Sequence, residues 1–407
     1  MLPEHRYLGE YLIRNPENLK KMIFIAGPRQ VGKTTLLENL GSRLGFSNIA
    51  YLNWDRPVDR KPIRDIHYDF FKTQLENSKN QPLIIFDELH KFPKWKAFLK
   101  GYYDTFRGKL STFVTGSARL DVYRRGGDSL LGRYWLYRLY PFTLSEAMGN
   151  MAPSPPLHLS SSISEKADKI LEILWKWGGF PEPFLSRSET HHRRWVRMRK
   201  ERLIQEDLRD LSRIHDLSHI DNLMDLVIGS VSSSLSLNSL REELQVSYNA
   251  VKTWSKWLEA IYYCFPITPF SKKITHALKK EAKYYLLDWS EISDPGARFE
   301  NMIAVHLKKS VDFWNDSGMG NYDLHYVRDL EKREVDFLIL KDKKPWMLIE
   351  AKTQLQEIPS SLRHMSAQLK PEYSVLVANT PDKGQYQVLQ GNRYWVSGAA
   401  AFLQNFV

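Results

Sequence analysis

Cysteine is nearly missing from this chain: Cys264 is the single one in 407 residues. A lone thiol excludes any disulfide within the chain and any zinc site built on several cysteines. A reducing, cytoplasmic compartment is the expectation. Long apolar runs are missing too. None approaches the roughly 20 residues that span a bilayer, and the opening MLPEHRY lacks the apolar centre of a secretory signal, so no membrane span is expected. There is no internal repeat and no long low-complexity tract. Acidic charge is the scarcer sign, with 47 Asp plus Glu against 58 Lys plus Arg, a net charge of +11. That excess favours polyanionic partners, nucleic acid or an anionic surface. The remainder, 43% hydrophobic and 26% charged, is the composition of a globular protein and excludes global disorder.

At about 150 residues per domain the length allows two to three domains. Through about Met148, short apolar runs alternate with helical patterns. Lys21–Ala26, Leu83–Phe86 and Ser111–Thr115 are each too short for a buried helix and are bounded by Gly, Pro or charge. They predict buried parallel strands of an α/β sheet. Met151–Ser164 is rich in Pro and Ser and predicts a linker. A helical pattern with a basic stretch at 187–202 runs to about Leu235. The segment 236–290 predicts a small helical unit and a hairpin. From Ala297 onward the pattern returns to mixed α/β, with strands expected at Glu334–Leu340, Trp346–Ala351 and Ser374–Ala378.

The loop after the first run reads Gly27-Pro28-Arg29-Gln30-Val31-Gly32-Lys33-Thr34-Thr35. Glycines at its ends let backbone amides wrap a phosphate, and the helix that follows adds positive potential. Lys33 is placed to reach β/γ-phosphates and Thr34 to ligate Mg²⁺. The run at Leu83–Phe86 ends in Asp87-Glu88. Asp87 is expected in the magnesium shell and Glu88 as the group that polarises a water. The strand Ser111–Thr115 runs into Gly116-Ser117, where Ser117 is a candidate γ-phosphate sensor. Arg119, Arg124, Arg125 and Arg133 are candidates for an arginine acting on a neighbouring subunit's nucleotide, with Arg133 preferred.

Leu237, Leu240 and Leu244 have the spacing of a short helix. A turn at Gln245-Val246-Ser247 follows, with Ser247 as N-cap. A second helix carries Val251, Trp254, Leu258 and Ile261 on one side and Asn249, Lys252, Thr253 and Lys256 on the other. Lys272, Lys273, Lys279 and Lys280 lie in the following segment. The pattern fits a winged helix: a polar helix for a DNA groove and wing lysines for phosphates. Packing against other domains is the alternative.

Further on, Glu300 sits in a helical pattern, Asp336 in the strand EVDFLIL, and Glu350 and Lys352 at the end of WMLIEAK. Alternation puts Glu350 and Lys352 on one strand face. A hairpin would bring Asp336 beside them. Carboxylates plus a lysine are the equipment of a Mg²⁺-dependent phosphodiesterase, with Asp336 and Glu350 as metal ligands. A scaffold or binding role is the alternative.

GPRQVGKTTLL, LIIFDELHK, TGSARL, LLGRYWLYRLYPFTLSEA, WGGFPEP, ARFENMIAVHL, REVDFLIL and LIEAKTQ occur in one order along nearly the whole chain. In this the sequence resembles prokaryotic AAA-family ATPases that carry a C-terminal domain of unknown function with a PD-(D/E)XK-like fold. Ala118 and Val335 depart from the family's usual polar strand-end and Pro-Asp patterns. The resemblance implies an α/β fold. Its parts are an AAA+/ASCE P-loop core at 1–150, a helical lid at 151–235, a winged helix at 236–290 and a restriction-endonuclease-like domain at 291–407. It implies ATP and Mg²⁺ as cofactors, hydrolysis through Lys33, Thr34, Asp87 and Glu88, and a homo-oligomer such as a hexamer. It also implies action on DNA, branched or duplex. Two other readings stand beside this one: a nucleotide-dependent signalling switch, and an ATPase-gated Mg²⁺-dependent nuclease.

Overall fold

The computed structural model describes residues 6–65, 67–78, 80–116, 130–149, 155, 159, 165–208, 217–271, 281–355 and 357–407. Its chain forms two compact units. One comprises Glu4–Tyr140 with Ala260–Tyr262, and the other takes in Pro141–Glu259 and Tyr263–Val407.

The expected apolar runs are strands β1 (Met22–Ala26), β3 (Leu83–Asp87) and β4 (Ser111–Gly116), each buried along its whole length. They join β2 (Ile49–Asn53) and β5 (Tyr134–Arg138) in one sheet of order β2-β3-β4-β1-β5. Every neighbouring pair is parallel. Parallel strands need crossovers, and helices supply them. The first crossover helix, Lys33–Arg43, leaves β1 through the glycine-flanked loop. An aromatic cluster that includes Phe71, Phe86, Phe98 and Tyr102 packs on one face of the sheet. The consequence for function is registry. Ala26 pairs with Gly116 and Asn53 with Asp87, so the polar residues that end these strands gather along one edge.

In the C-terminal unit, the helices Leu144–Met148, Glu165–Trp177, Pro181–Ser186, Glu189–Arg202 and Leu217–Gly229 come first. The short helices Leu237–Glu243 and Tyr248–Ala260 follow. Gln245 (φ +54°) turns the chain between them, and Ser247 Oγ accepts the Ala250 N–H at 3.1 Å, capping the second helix. Next come β6 (Cys264–Pro269) and β7 (Lys283–Leu286), an antiparallel pair. Ser234 bridges to Lys283, which ties the start of the helix pair to β7.

The rest is a 22-residue helix, Pro295–Asp316, over an eight-stranded sheet of order β12-β13-β11-β10-β9-β8-β6-β7. Its remaining strands are β8 (Tyr322–Arg328), β9 (Glu334–Lys341), β10 (Lys344–Lys352), β11 (Tyr373–Ala378), β12 (Gln385–Leu389) and β13 (Asn392–Gly398). Asp294 caps the long helix through the Ala297 N–H, with Pro295 in its first turn. β8, β9 and β10 are antiparallel neighbours. Helix Ser360–Leu369 then crosses over to β11, parallel to β10. Leu338, Leu348, Leu362, Met365 and Leu376 form the core between this helix and the sheet.

Candidate functional site

The loop between β1 and its helix can be built only with glycine at its first position. Gly27 has φ +156°, and a Cβ there would stand 2.3 Å from the Leu139 carbonyl oxygen. Gln30 and Gly32 also adopt positive φ, at +63° and +93°. The helix starts at Lys33, so its unpaired N-terminal amides face the loop. Lys33 curls back over this loop, donating from Nζ to the Gly27 and Pro28 carbonyls at 3.0 and 2.8 Å. A residue outside the motif holds the loop from behind: buried Arg6 donates to the Val31 carbonyl at 2.6 Å and to the Tyr140 carbonyl at 2.5 Å.

Thr34 Oγ1 donates to Asp87 Oδ2 at 3.1 Å. The loop helix and the end of β3 therefore meet at two hard oxygen donors. The Tyr51 and Thr115 hydroxyls also donate to this carboxylate, and Asn53 Nδ2 lies at 3.4 Å. The Asp87 carboxylate is thus fixed in direction by neighbouring strands. Glu88 takes the left-handed conformation, φ +52°, with its carboxylate 3.7 Å from His90 and 3.8 Å from Lys91. Burial raises its pKa, against the opposing pull of Lys33. Magnesium fits here: Thr34 and Asp87 supply adjacent oxygens of the type it prefers.

The predicted residues Gly27, Pro28, Arg29, Gln30, Val31, Gly32, Lys33 and Thr34 thus form one loop, with Asp87 and Glu88 beside it; Thr35 is exposed in the helix's first turn. Ser117, Arg119, Arg124 and Arg125 lie outside the described residues. Arg133 is not brought to this loop. It precedes β5, whose first residue pairs with Met22 at the opposite end of β1, and it is bound bidentate to Asp104 at 2.9 and 3.1 Å. Arg6, Tyr51, Asn53 and Thr115 were missed. Asn53 and Thr115 carry a usable signal, polar residues closing apolar strands; Arg6 and Tyr51 carry none.

A second cluster lies in the C-terminal unit. Asp336 on β9 accepts the Ala351 N–H at 2.9 Å, so the expected hairpin does set it against the end of β10. Lys352 Nζ reaches Glu350 Oε1 at 2.6 Å, as their shared face requires. Glu300 on the long helix accepts the Tyr285 hydroxyl at 2.6 Å. The residue that joins them is Lys283, the first of β7. Its buried ammonium lies 2.7 Å from Glu334, 3.2 Å from Glu300 and 3.8 Å from Asp336.

Burial, with Asp336 alongside, pushes the Glu300 carboxyl up to about 7, and the same causes push Glu350 up to about 8. Burial alone would discharge Lys283, but Glu300, Asp336 and Glu334 outweigh it and raise its pKa. The lysine is therefore an ammonium. Among the described residues, no group of three or more His, Cys, Asp or Glu is arranged to hold a metal ion. A divalent cation does not fit a centre where the chain's own cation is already paired with three of its carboxylates.

On helix Tyr248–Ala260, Asn249, Lys252, Thr253 and Lys256 are exposed while Val251 and Leu258 are buried, as expected. Lys272, Lys273, Lys279 and Lys280 lie outside the described residues. Among the described residues no helix is long and apolar enough to cross a membrane.

Three segments of the chain match family models of known proteins. Residues 19–148 match the family model described as an AAA domain, and residues 168–290 and 295–395 match two domains of unknown function, DUF8612 and DUF4143. Uncharacterized proteins of Mycobacterium bovis and Mycobacterium tuberculosis are each 23% identical over 359 residues, covering 84% of this chain and 73% of theirs. Among solved structures, C. elegans PCH-2 aligns at 15% identity and TM-score 0.29, over 48% of this chain and 65% of that one. AMPPCP-bound DnaA from Aquifex aeolicus aligns at 15% identity and TM-score 0.30, over 62% and 86%.

Proposed function

We propose that this chain binds and hydrolyses ATP in its N-terminal unit and applies the resulting change to DNA held by its C-terminal unit. The observation that carries the first half is the 3.1 Å contact between Thr34 and Asp87, with Glu88 next in the chain. The AAA-domain match over residues 19–148 supports the same reading. Loop amides receive the phosphates, and Lys33 exchanges its two carbonyl partners for β/γ-phosphate oxygens. Thr34 and Asp87 would hold a magnesium ion, which would supply positive charge to neutralise the phosphates. Glu88 orients a water in line with the γ-phosphorus and takes its proton. The new O–P bond forms as the bond to the β-phosphate oxygen breaks, leaving ADP and phosphate. Burial of Glu88 supports this role, since a raised pKa improves a base working near neutrality.

The second half rests on charge and shape. The net charge is +11, and Asn249, Lys252 and Lys256 share one exposed helix face. The helix pair followed by an antiparallel hairpin supports a winged helix, with that face toward a groove. Assembly as a homo-oligomer belongs to the same reading. The test is an ATPase assay of the whole chain and of Lys33→Ala, without DNA and with linear, single-stranded and four-way DNAs. Turnover absent in Lys33→Ala and stimulated by DNA is expected. Turnover indifferent to every DNA removes the second half, and hydrolysis surviving in Lys33→Ala removes the first.

A further inference from the structure

The acidic centre of the C-terminal unit assembles from three elements that approach from different directions: the long helix, β9 and β10. Such a centre ordinarily invites a divalent ion, which needs several free carboxylate oxygens at about 2.0–2.6 Å. One oxygen of each of the four carboxylates is already committed. Asp336 Oδ2 holds a backbone amide of β10, and Glu350 Oε1 holds Lys352. Glu300 Oε1 and Glu334 Oε1 face the Lys283 ammonium at 3.2 and 2.7 Å. Among the oxygens of this cluster, Glu350 Oε2 is buried without a hydrogen-bond partner. The Lys283 side chain is 2% exposed, so its charge is held by these carboxylates and hardly by solvent. A second cation brought into the same cage would sit a few ångströms from this ammonium and be repelled in a medium of low dielectric.

We infer that Lys283 stands where a divalent cation would be held, and that this centre is a buried ion-pair rivet fastening β7 to β9 and the Pro295–Asp316 helix, not a metal-dependent hydrolytic centre. The chain's own side chain supplies the positive charge that the carboxylates require to be buried together. The inference is independent of the ATPase reading.

The test counts Mn²⁺ on the nucleotide-free full-length chain by titration calorimetry and electron paramagnetic resonance. Asp87→Asn is the background throughout, so that the phosphate-loop site contributes nothing. With Lys283 present, no saturable Mn²⁺ binding is expected. Adding Lys283→Met is expected to create one saturable Mn²⁺ site per chain, which Glu350→Gln then removes. Saturable Mn²⁺ in the Lys283-bearing chain that disappears with Glu350→Gln overturns the inference. A folded Lys283→Met chain that gains no ion overturns it too. Should Lys283→Met fail to fold, the Lys283-bearing chain and its Glu350→Gln variant decide the question between them.

Discussion

The Arg6 guanidinium donates to the Val31 carbonyl at 2.6 Å, inside the phosphate loop and 25 residues away in sequence. Its second bond, to the Tyr140 carbonyl, anchors the loop to the chain just after β5. Both are hydrogen bonds from a charged donor, the stronger kind. Arg6→Ala is expected to loosen the loop and raise the Kd for ATP about tenfold, equivalent to about 1.4 kcal/mol. Fluorescent-nucleotide titration measures this, and unchanged affinity would remove Arg6 from the site's support.

Glu88→Gln keeps the side chain's size and loses its ability to take a proton. ATP binding is expected to persist while kcat falls by about 100-fold or more. Parallel nucleotide binding and phosphate-release assays separate the two. Normal turnover in Glu88→Gln would reassign the base.

Lys252 and Lys256 are exposed on the helix face proposed to meet DNA. Replacing each by Ala is expected to lower the slope of log affinity against log salt by about 1 per lysine. Binding should weaken by a similar factor for different DNA sequences. Fluorescence anisotropy at several salt concentrations reads both, and an unaltered slope would place the DNA elsewhere.

His306 is buried, and its hydrogen bonds fix its charge state. Nδ1 donates to the Met302 carbonyl at 2.8 Å, while Nε2 accepts the Leu144 N–H at 3.0 Å. Burial lowers its pKa to about 3 from the usual 6.5, with Lys309 adding repulsion. Below pH 6.5 the unfolded chain takes up a proton that the folded chain refuses. Stability is therefore full above about 6.5 and is lost as pH falls toward 3, by about 1.4 kcal/mol per pH unit from this residue. Denaturant unfolding across pH 4–7 is expected to show a shallower decline in His306→Gln. An identical slope in both chains would contradict the neutral assignment.

The strands most legible in the sequence are those buried on both faces. β1, β3 and β4 are continuous apolar runs because helices or neighbouring strands cover them on every side. β2 and β5 escaped notice for the complementary reason. They are the two edges of the sheet, and most of their residues are only partly buried, as in Tyr134-Trp135-Leu136-Tyr137-Arg138. The phosphate loop was legible because its chemistry is local, compressed into eight residues with glycines at forced positions. Arg6 was not, since its partners lie 25 and 134 residues away. Lys283 follows a lysine-rich stretch and reads as one more solvated charge. Its burial arises from pairing with Glu300 and Glu334, which only the folded sheet brings near.

Strand β6 pairs with β7 on one side and with β8 on the other, through Thr268 with His325 and Pro269 with Tyr326. The hairpin beside the two short helices is therefore part of the same hydrogen-bonded layer as the large sheet. Helix Tyr248–Ala260 runs on directly into that layer, since β6 begins four residues after its last turn. A load carried on this helix would therefore reach the large sheet through backbone hydrogen bonds, without crossing a separate linker.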